Sequence, residues 1–341
     1  MRTTFLAPLL FLMLAVSAEA FPVRNFAYFG RDRERIADRG FLGAANLEGA
    51  QLTYTWRQLE HGEGGYDFSD IENDLARLGS HGKALFVQLQ DTTFDVSKPA
   101  VPDYLLKHRR YNGGAEFQYN GRGEAEGWVA RRWDPSVQDR FQRLLMALGT
   151  EFDGRIAGIN LQETAIGVSE KGPHASPGFT YAGYRDAILS NMRALKRAFP
   201  KSVAMQYANF MPGEWLPADD HAFLRSVFQL GEGIGVGVGV PDLLPENRNQ
   251  QNHAYRIMGE LKGKVHVGIA VQDGNYNGTT GNDVKPGGPW TNRVPELFEY
   301  AREVLNADFI FWGAQEPYFT HDVIPFMRTL PSDPARSPMG G

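Results

Sequence analysis

Residues 134–164 read DPSVQDRFQRLLMALGTEFDGRIAGINLQET. They hold one full step of the pattern that decides the fold. Asp134 is a good N-cap, and Pro135 suits the first helical position, where its missing N–H costs nothing. A helical pattern then runs over Pro135–Leu148. After a short break, Ile156–Gln162 (IAGINLQ) is a β-rich run ending in polar residues. The same alternation extends in both directions. Upstream strand candidates are Phe26–Gly30, Gly49–Trp56 and Ala84–Gln90. Downstream ones are Val203–Asn209, Gly233–Val240, Val265–Gln272 and Asp308–Trp312. Several are near-continuous apolar runs, as parallel strands covered by helices on the outside require.

Helical patterns separate them at Ser69–His81, Tyr181–Phe199, Asp219–Leu230, Asn249–Leu261, Val294–Leu305 and Asp322–Leu330. Eight strand candidates interleaved with seven helical patterns predict a single-domain (β/α)8 TIM barrel of the α/β class over residues 21–330. A doubly wound open sheet is the competing architecture, but no Gly-rich phosphate fingerprint follows the first strand. The run Gly231–Gly239 (GEGIGVGVG) lacks the Lys-Ser/Thr ending of a P-loop, so its glycines read as a tightly packed sixth strand. Two βα loops are long. Asp91–Asp134 follows the third strand and carries Tyr104, Tyr111, Tyr119, Trp128 and Trp133, while Gly274–Pro289 follows the seventh. Both fall on the face where barrel enzymes keep their active sites.

The ends of the chain read differently. Arg2, the apolar run Thr3–Ser17 and the small-x-small triplet Ala18-Glu19-Ala20 form a signal peptide over residues 1–20, with the mature chain starting near Phe21. The run is short for a bilayer span, which needs roughly 20 apolar residues. A secreted or periplasmic protein, soluble after cleavage and monomeric, is the expectation. The Pro/Ser/Gly-rich tail 331–341 reads as disordered. There is no cysteine, which removes disulfides, thiolate nucleophiles and a lipoprotein anchor. Net charge is −5 with both signs interspersed, so neither nucleic acid nor an anionic membrane is an expected partner. Aromatics make up 12% of the chain and gather in the loops, which suits a surface that grips sugar rings.

Chemistry is sought at the strand ends. The eight histidines are scattered without a metal-ligand spacing, and no Gly-x-Ser-x-Gly elbow occurs, so no metal and no cofactor are expected. The fourth strand ends Asn160-Leu161-Gln162-Glu163, a carboxylate beside an amide at the rim. That arrangement suits a general acid/base, because partial burial raises a carboxyl pKa towards the working pH. Glu316 after the eighth strand is the expected partner carboxylate, and Asp273 after the seventh is the runner-up. Trp56, Gln90, Asn160, Gln162, Tyr207, Asn209, Gln272 and Trp312 are the expected substrate-binding residues, with Trp312 as the floor of a sugar subsite.

Trp56-Arg57-Gln58-Leu59-Glu60, followed by Gly64-Gly65-Tyr66-Asp67-Phe68-Ser69, resembles a W-x-x-L-E…G-x-Y-D-F-S segment of clan A glycoside hydrolases. The resemblance implies a barrel over roughly Phe26–Leu330, an acid/base Glu after the fourth strand and a Trp after the eighth. Two positions depart from it. Gln162 stands where those enzymes carry the Asn of an Asn-Glu pair, and Gln272-Asp273 replaces their nucleophile Glu. The expected function is hydrolysis of O-glycosidic bonds in a poly- or oligosaccharide by two carboxylates, with retention of configuration as in those relatives. A non-catalytic carbohydrate-binding barrel is the alternative, and a lyase or metal-dependent hydrolase a third; loss of activity in EDTA would mark the last.

Overall fold

A computed structural model describes residues 23–261, 263–280 and 291–331. The signal segment with its cleavage point near Phe21, residues 281–290 of the seventh loop and the tail beyond Pro331 lie outside the described residues. Eight parallel strands close into a barrel: β1 (Arg24–Gly30), β2 (Gly49–Thr55), β3 (Ala84–Gln90), β4 (Gly158–Leu161), β5 (Val203–Tyr207), β6 (Gly237–Val240), β7 (Val267–Val271) and β8 (Phe309–Gly313). Neighbours in sequence are neighbours in space, and β1 pairs with both β2 and β8. Among the described residues no helix is long and apolar enough to cross a membrane.

Side-chain alternation builds two cores. Phe26, Phe86, Met205, Tyr207, Phe309 and Phe311 fill the barrel interior. Their neighbours one residue on, such as Ala27, Val87 and Trp312, face the helices. Glycines of β6 and β7 belong to this scheme. A Cβ on Gly239 would come within 2.8 Å of the Tyr207 ring, and one on Gly268 within 2.6 Å of the Met205 sulfur. Large inward residues on β5 thus require glycine on β6 and β7, while Val238 and Val240 pack outward.

The helix Pro135–Phe152 starts as expected: the Asp134 carboxylate accepts from the backbone N–H of Ser136 at 2.9 Å and of Val137 at 3.1 Å. It runs four residues beyond the expected Leu148. β6 begins four residues later than expected, because Gly233 and Ile234 finish the helix Phe223–Ile234, closed by Gly235 at φ +70°. The last three helical regions are broken by wider π-type turns at Gln251–Tyr255, Tyr300–Val304 and Phe319–Val323. The long loop after β3 is not irregular. It folds as a small antiparallel sheet, with Ala125–Ala130 between Thr92–Thr93 and Ala115–Tyr119.

Candidate active site

Glu163 stands two residues beyond β4, and its backbone is fixed on three sides. The buried Arg132 makes a two-pronged ion pair with Asp91, at 2.6 and 2.8 Å, and donates to the Glu163 carbonyl at 3.1 Å. Arg132 also donates to the Tyr184 hydroxyl, which donates in turn to the Thr164 carbonyl at 3.0 Å. Gln162 accepts from the backbone N–H groups of Asp91 and Thr92, tying the end of β4 to that of β3. This network leaves the Glu163 side chain to be aimed by one contact, the Asn209 amide donating to Oε2 at 2.5 Å.

The electrostatics follow from this placement. Desolvation and, after it, the nearby Asp242 carboxylate together push the Glu163 carboxyl up to about 7, against the Asn209 hydrogen bond. Asp242 stands just past β6 and accepts from the Asn275 amide at 3.0 Å; burial raises its pKa too. Asn275 also accepts from the backbone of Leu243 and Gln272, so it joins the ends of β6 and β7. Sequence reading missed Asp242, Arg132 and Asn275. Proline follows β6 directly, and Pro-Asp-Leu reads as an ordinary turn.

Beside this group, Tyr28, Gln272, Asp273, Gly313 and Gln315 line an open cleft of about 350 Å3. Asp273 is exposed there, yet partial desolvation raises its carboxyl pKa. Tyr28 donates to Gln88 at 3.2 Å, and burial raises its hydroxyl pKa, with the charges of Asp273 and Glu163 adding to the rise. Among the described residues no three His, Asp or Glu side chains converge as metal ligands.

Several expected site residues lie elsewhere. Glu316, the expected partner, does not line this cleft. It makes a 2.5 Å ion pair with Arg35 and accepts from the Thr320 backbone and hydroxyl, acting as a surface clamp at the start of the last helical region. We expect Glu316→Gln to change turnover on any substrate by less than about twofold, since a half-exposed pair contributes little. Trp312 is fully buried in the helix layer, its Nε1 donating to Asn25 at 2.9 Å, so it forms no subsite floor. The reason is parity: Phe311 takes the inward position on β8. Trp56 likewise packs outward on Phe141, its Nε1 donating to Glu60 at 2.7 Å. Asn160 and Tyr207 point inward but are sealed within the barrel, both bound to the Gln51 amide. Gln90 is partly exposed at the end of β3 and accepts from Arg31 at 2.6 Å.

No family model matches the sequence, and no curated protein does. Solved structures match in fold. The catalytic domain of a β-amylase from Paenibacillus polymyxa aligns over 91% of this chain and 98% of its own, at 10% identity and a TM-score of 0.50. A xylanase from Cellvibrio japonicus aligns over 89% and 90%, at 15% identity and 0.52. A β-galactosidase from Bacillus circulans sp. alkalophilus covers 86% of this chain and 50% of its own, at 12% identity and 0.54. The chain is similar in fold to the clan A (β/α)8 glycoside hydrolases. Identity this low speaks for the barrel and leaves the chemistry to the residues of the site.

The W-x-x-L-E…Y-D-F-S segment, where the sequence resemblance was sharpest, is a structural clip rather than part of the cleft. Glu60, wholly buried, accepts from Trp56 Nε1, from Gly64 N and from the Arg140 guanidinium of the third-loop helix. Asp67 then accepts from the Ser69 backbone N–H where the helix Ser69–Gly79 begins.

Proposed function

We propose that the chain is a glycoside hydrolase that cleaves O-glycosidic bonds of a poly- or oligosaccharide outside the cytoplasm, with Glu163 as general acid/base and Asp273 as its partner. The observation that carries this is the state of Glu163: a carboxyl at the fourth-strand rim, aimed by Asn209, that keeps its proton up to about pH 7. A group protonated near neutrality can deliver that proton to a glycosidic oxygen as the bond breaks, and the resulting carboxylate can take one from water. Asp242 serves this role from behind, since a second negative charge nearby disfavours ionisation of Glu163. Asp273 is the partner because it alone of these carboxylates lines the open cleft.

Two mechanisms share this pair. If Asp273 attacks the anomeric carbon, the two carboxyls close to about 5–5.5 Å and configuration is retained; roughly 6.5–9.5 Å admits a water and inverts it. Proton NMR of the first anomer released distinguishes them.

The test is release of new reducing ends from xylan, starch and galactan. Asp273→Asn should lower turnover by about a hundredfold or more, as the loss of a nucleophile or base does. Azide should restore part of the activity of Asp273→Ala if Asp273 is the nucleophile. Near-normal turnover in Asp273→Asn would remove it from the mechanism. Binding of a polysaccharide with no hydrolysis would establish the carbohydrate-binding barrel instead.

A further inference from the structure

With Trp312 and Trp56 in the helix layer, the surface offers a different aromatic on the loop that carries Asn209, the residue that aims Glu163. Trp215 lies in the loop that follows β5 and is 51% exposed. Burial of an indole is among the largest apolar gains a side chain can make, so a half-exposed one forgoes much of it. Loop mobility does not account for that exposure. Trp215 and Asp219 exchange both backbone hydrogen bonds, at 3.0 and 2.8 Å. The buried Glu214 accepts from the backbone N–H groups of His221, Phe223 and Leu224, locking the loop onto the helix that follows. The next residue, Leu216, donates to His253 Nε2 at 2.9 Å.

The ring itself is also braced. Trp215 runs nearly parallel to Phe210, with 9° between planes and centroids 5.8 Å apart, and both rings meet His253 edge-on at 4.8 Å. Phe210 adjoins Asn209, the residue that aims Glu163, and its carbonyl accepts from the Thr164 hydroxyl at 2.7 Å. The brace of the aromatic pair and the brace of the catalytic carboxyl are therefore one loop.

We infer that Trp215 is the platform of a sugar-binding subsite, stacking on the apolar C–H face of a pyranose ring held next to the bond that Glu163 protonates. A rigid aromatic plane costs little conformational entropy on binding, which is why such planes serve as recognition surfaces. The inference rests on the carbohydrate-directed reading above, but needs binding only, not hydrolysis.

The test is affinity electrophoresis in native gels cast with xylan, soluble starch or galactan. All variants are made in a Glu163→Gln background, so that no polymer is consumed. We expect at least one polymer to retard the Glu163→Gln chain. Trp215→Ala should weaken that retardation by about tenfold in dissociation constant, and Trp215→Tyr should restore most of it. Far-ultraviolet circular dichroism and the melting temperature of each variant confirm folding. Equal retardation of Trp215→Ala and its parent, with both folded, overturns the platform. So does a parent that none of the three polymers retards. A chain that binds through Trp215 while the wild type releases no reducing ends would keep the subsite and refute the hydrolase.

Discussion

Under the proposed mechanism, Glu163→Gln is expected to cut turnover by a factor on the order of a hundred or more, the usual contribution of a positioned acid/base. Glutamine keeps the shape and the Asn209 contact but cannot deliver a proton. In the parent, kcat/KM should fall as pH rises through about 7, because the acid form that donates is lost there. Stability should respond in a distinctive way. The folded carboxyl titrates near 7 and the unfolded one near 4.5, so the folded state holds a proton the unfolded state has released. This group's stabilisation is fully present below about pH 4.5 and is lost as pH rises through about 7, by up to about 3 kcal/mol. Glutamine has nothing to lose. The melting temperature of Glu163→Gln relative to the parent should therefore rise between pH 4 and pH 8. Turnover within threefold of the parent would sink the mechanism, and a flat melting difference would show that Glu163 is not desolvated.

Arg140→Met should destabilise the fold by roughly 3–5 kcal/mol, the cost of leaving a buried carboxylate without its counter-charge. Glu60 would keep only Trp56 Nε1 and the Gly64 N–H as donors. The Tyr104 hydroxyl, which accepts from Arg140 Nε at 3.1 Å, would lose that bond. The double variant Glu60→Gln/Arg140→Met removes both charges and should recover much of the loss. Urea unfolding of the three chains measures it. A loss under about 1 kcal/mol for Arg140→Met would mean that water reaches Glu60 and that the clip is not a closed ion pair. Residual activity at low temperature should be near normal in either variant, since the clip lies behind the barrel wall.

The barrel was legible in the sequence because its signals are local. Asp134-Pro135 starts a helix by satisfying or omitting particular N–H groups, and each apolar run of β4 to β8 is short and bounded by turn residues. The glycines of β6 were read as a packed strand. Only the structure gave the cause: Tyr207 on β5 fills the space that a side chain at Gly239 would need. Glu163 was chosen from a strand-end position with burial in mind, and the structure adds Asp242 beside it and makes Asn209, expected to bind substrate, the residue that aims it.

What the sequence could not decide was the direction in which each strand-end residue faces. A shift of one residue moves a side chain from barrel interior to helix layer. Trp312 and Trp56 went outward for that reason, and the platform role fell to Trp215, in a loop with no periodicity to read. Glu316 was expected as the partner from its place after the eighth strand, but it pairs with Arg35, 281 residues earlier. The resemblance at Trp56–Ser69 identified the fold correctly while marking a buried clip, because a charge sealed under a helix constrains sequence as tightly as a catalytic one. Local chemistry thus wrote the eight repeats and the candidate acid into the chain. The choice among Glu316, Asp273 and Asp242 belongs to contacts between distant segments, where burial and opposing charge, not sequence position, set what each carboxylate can do.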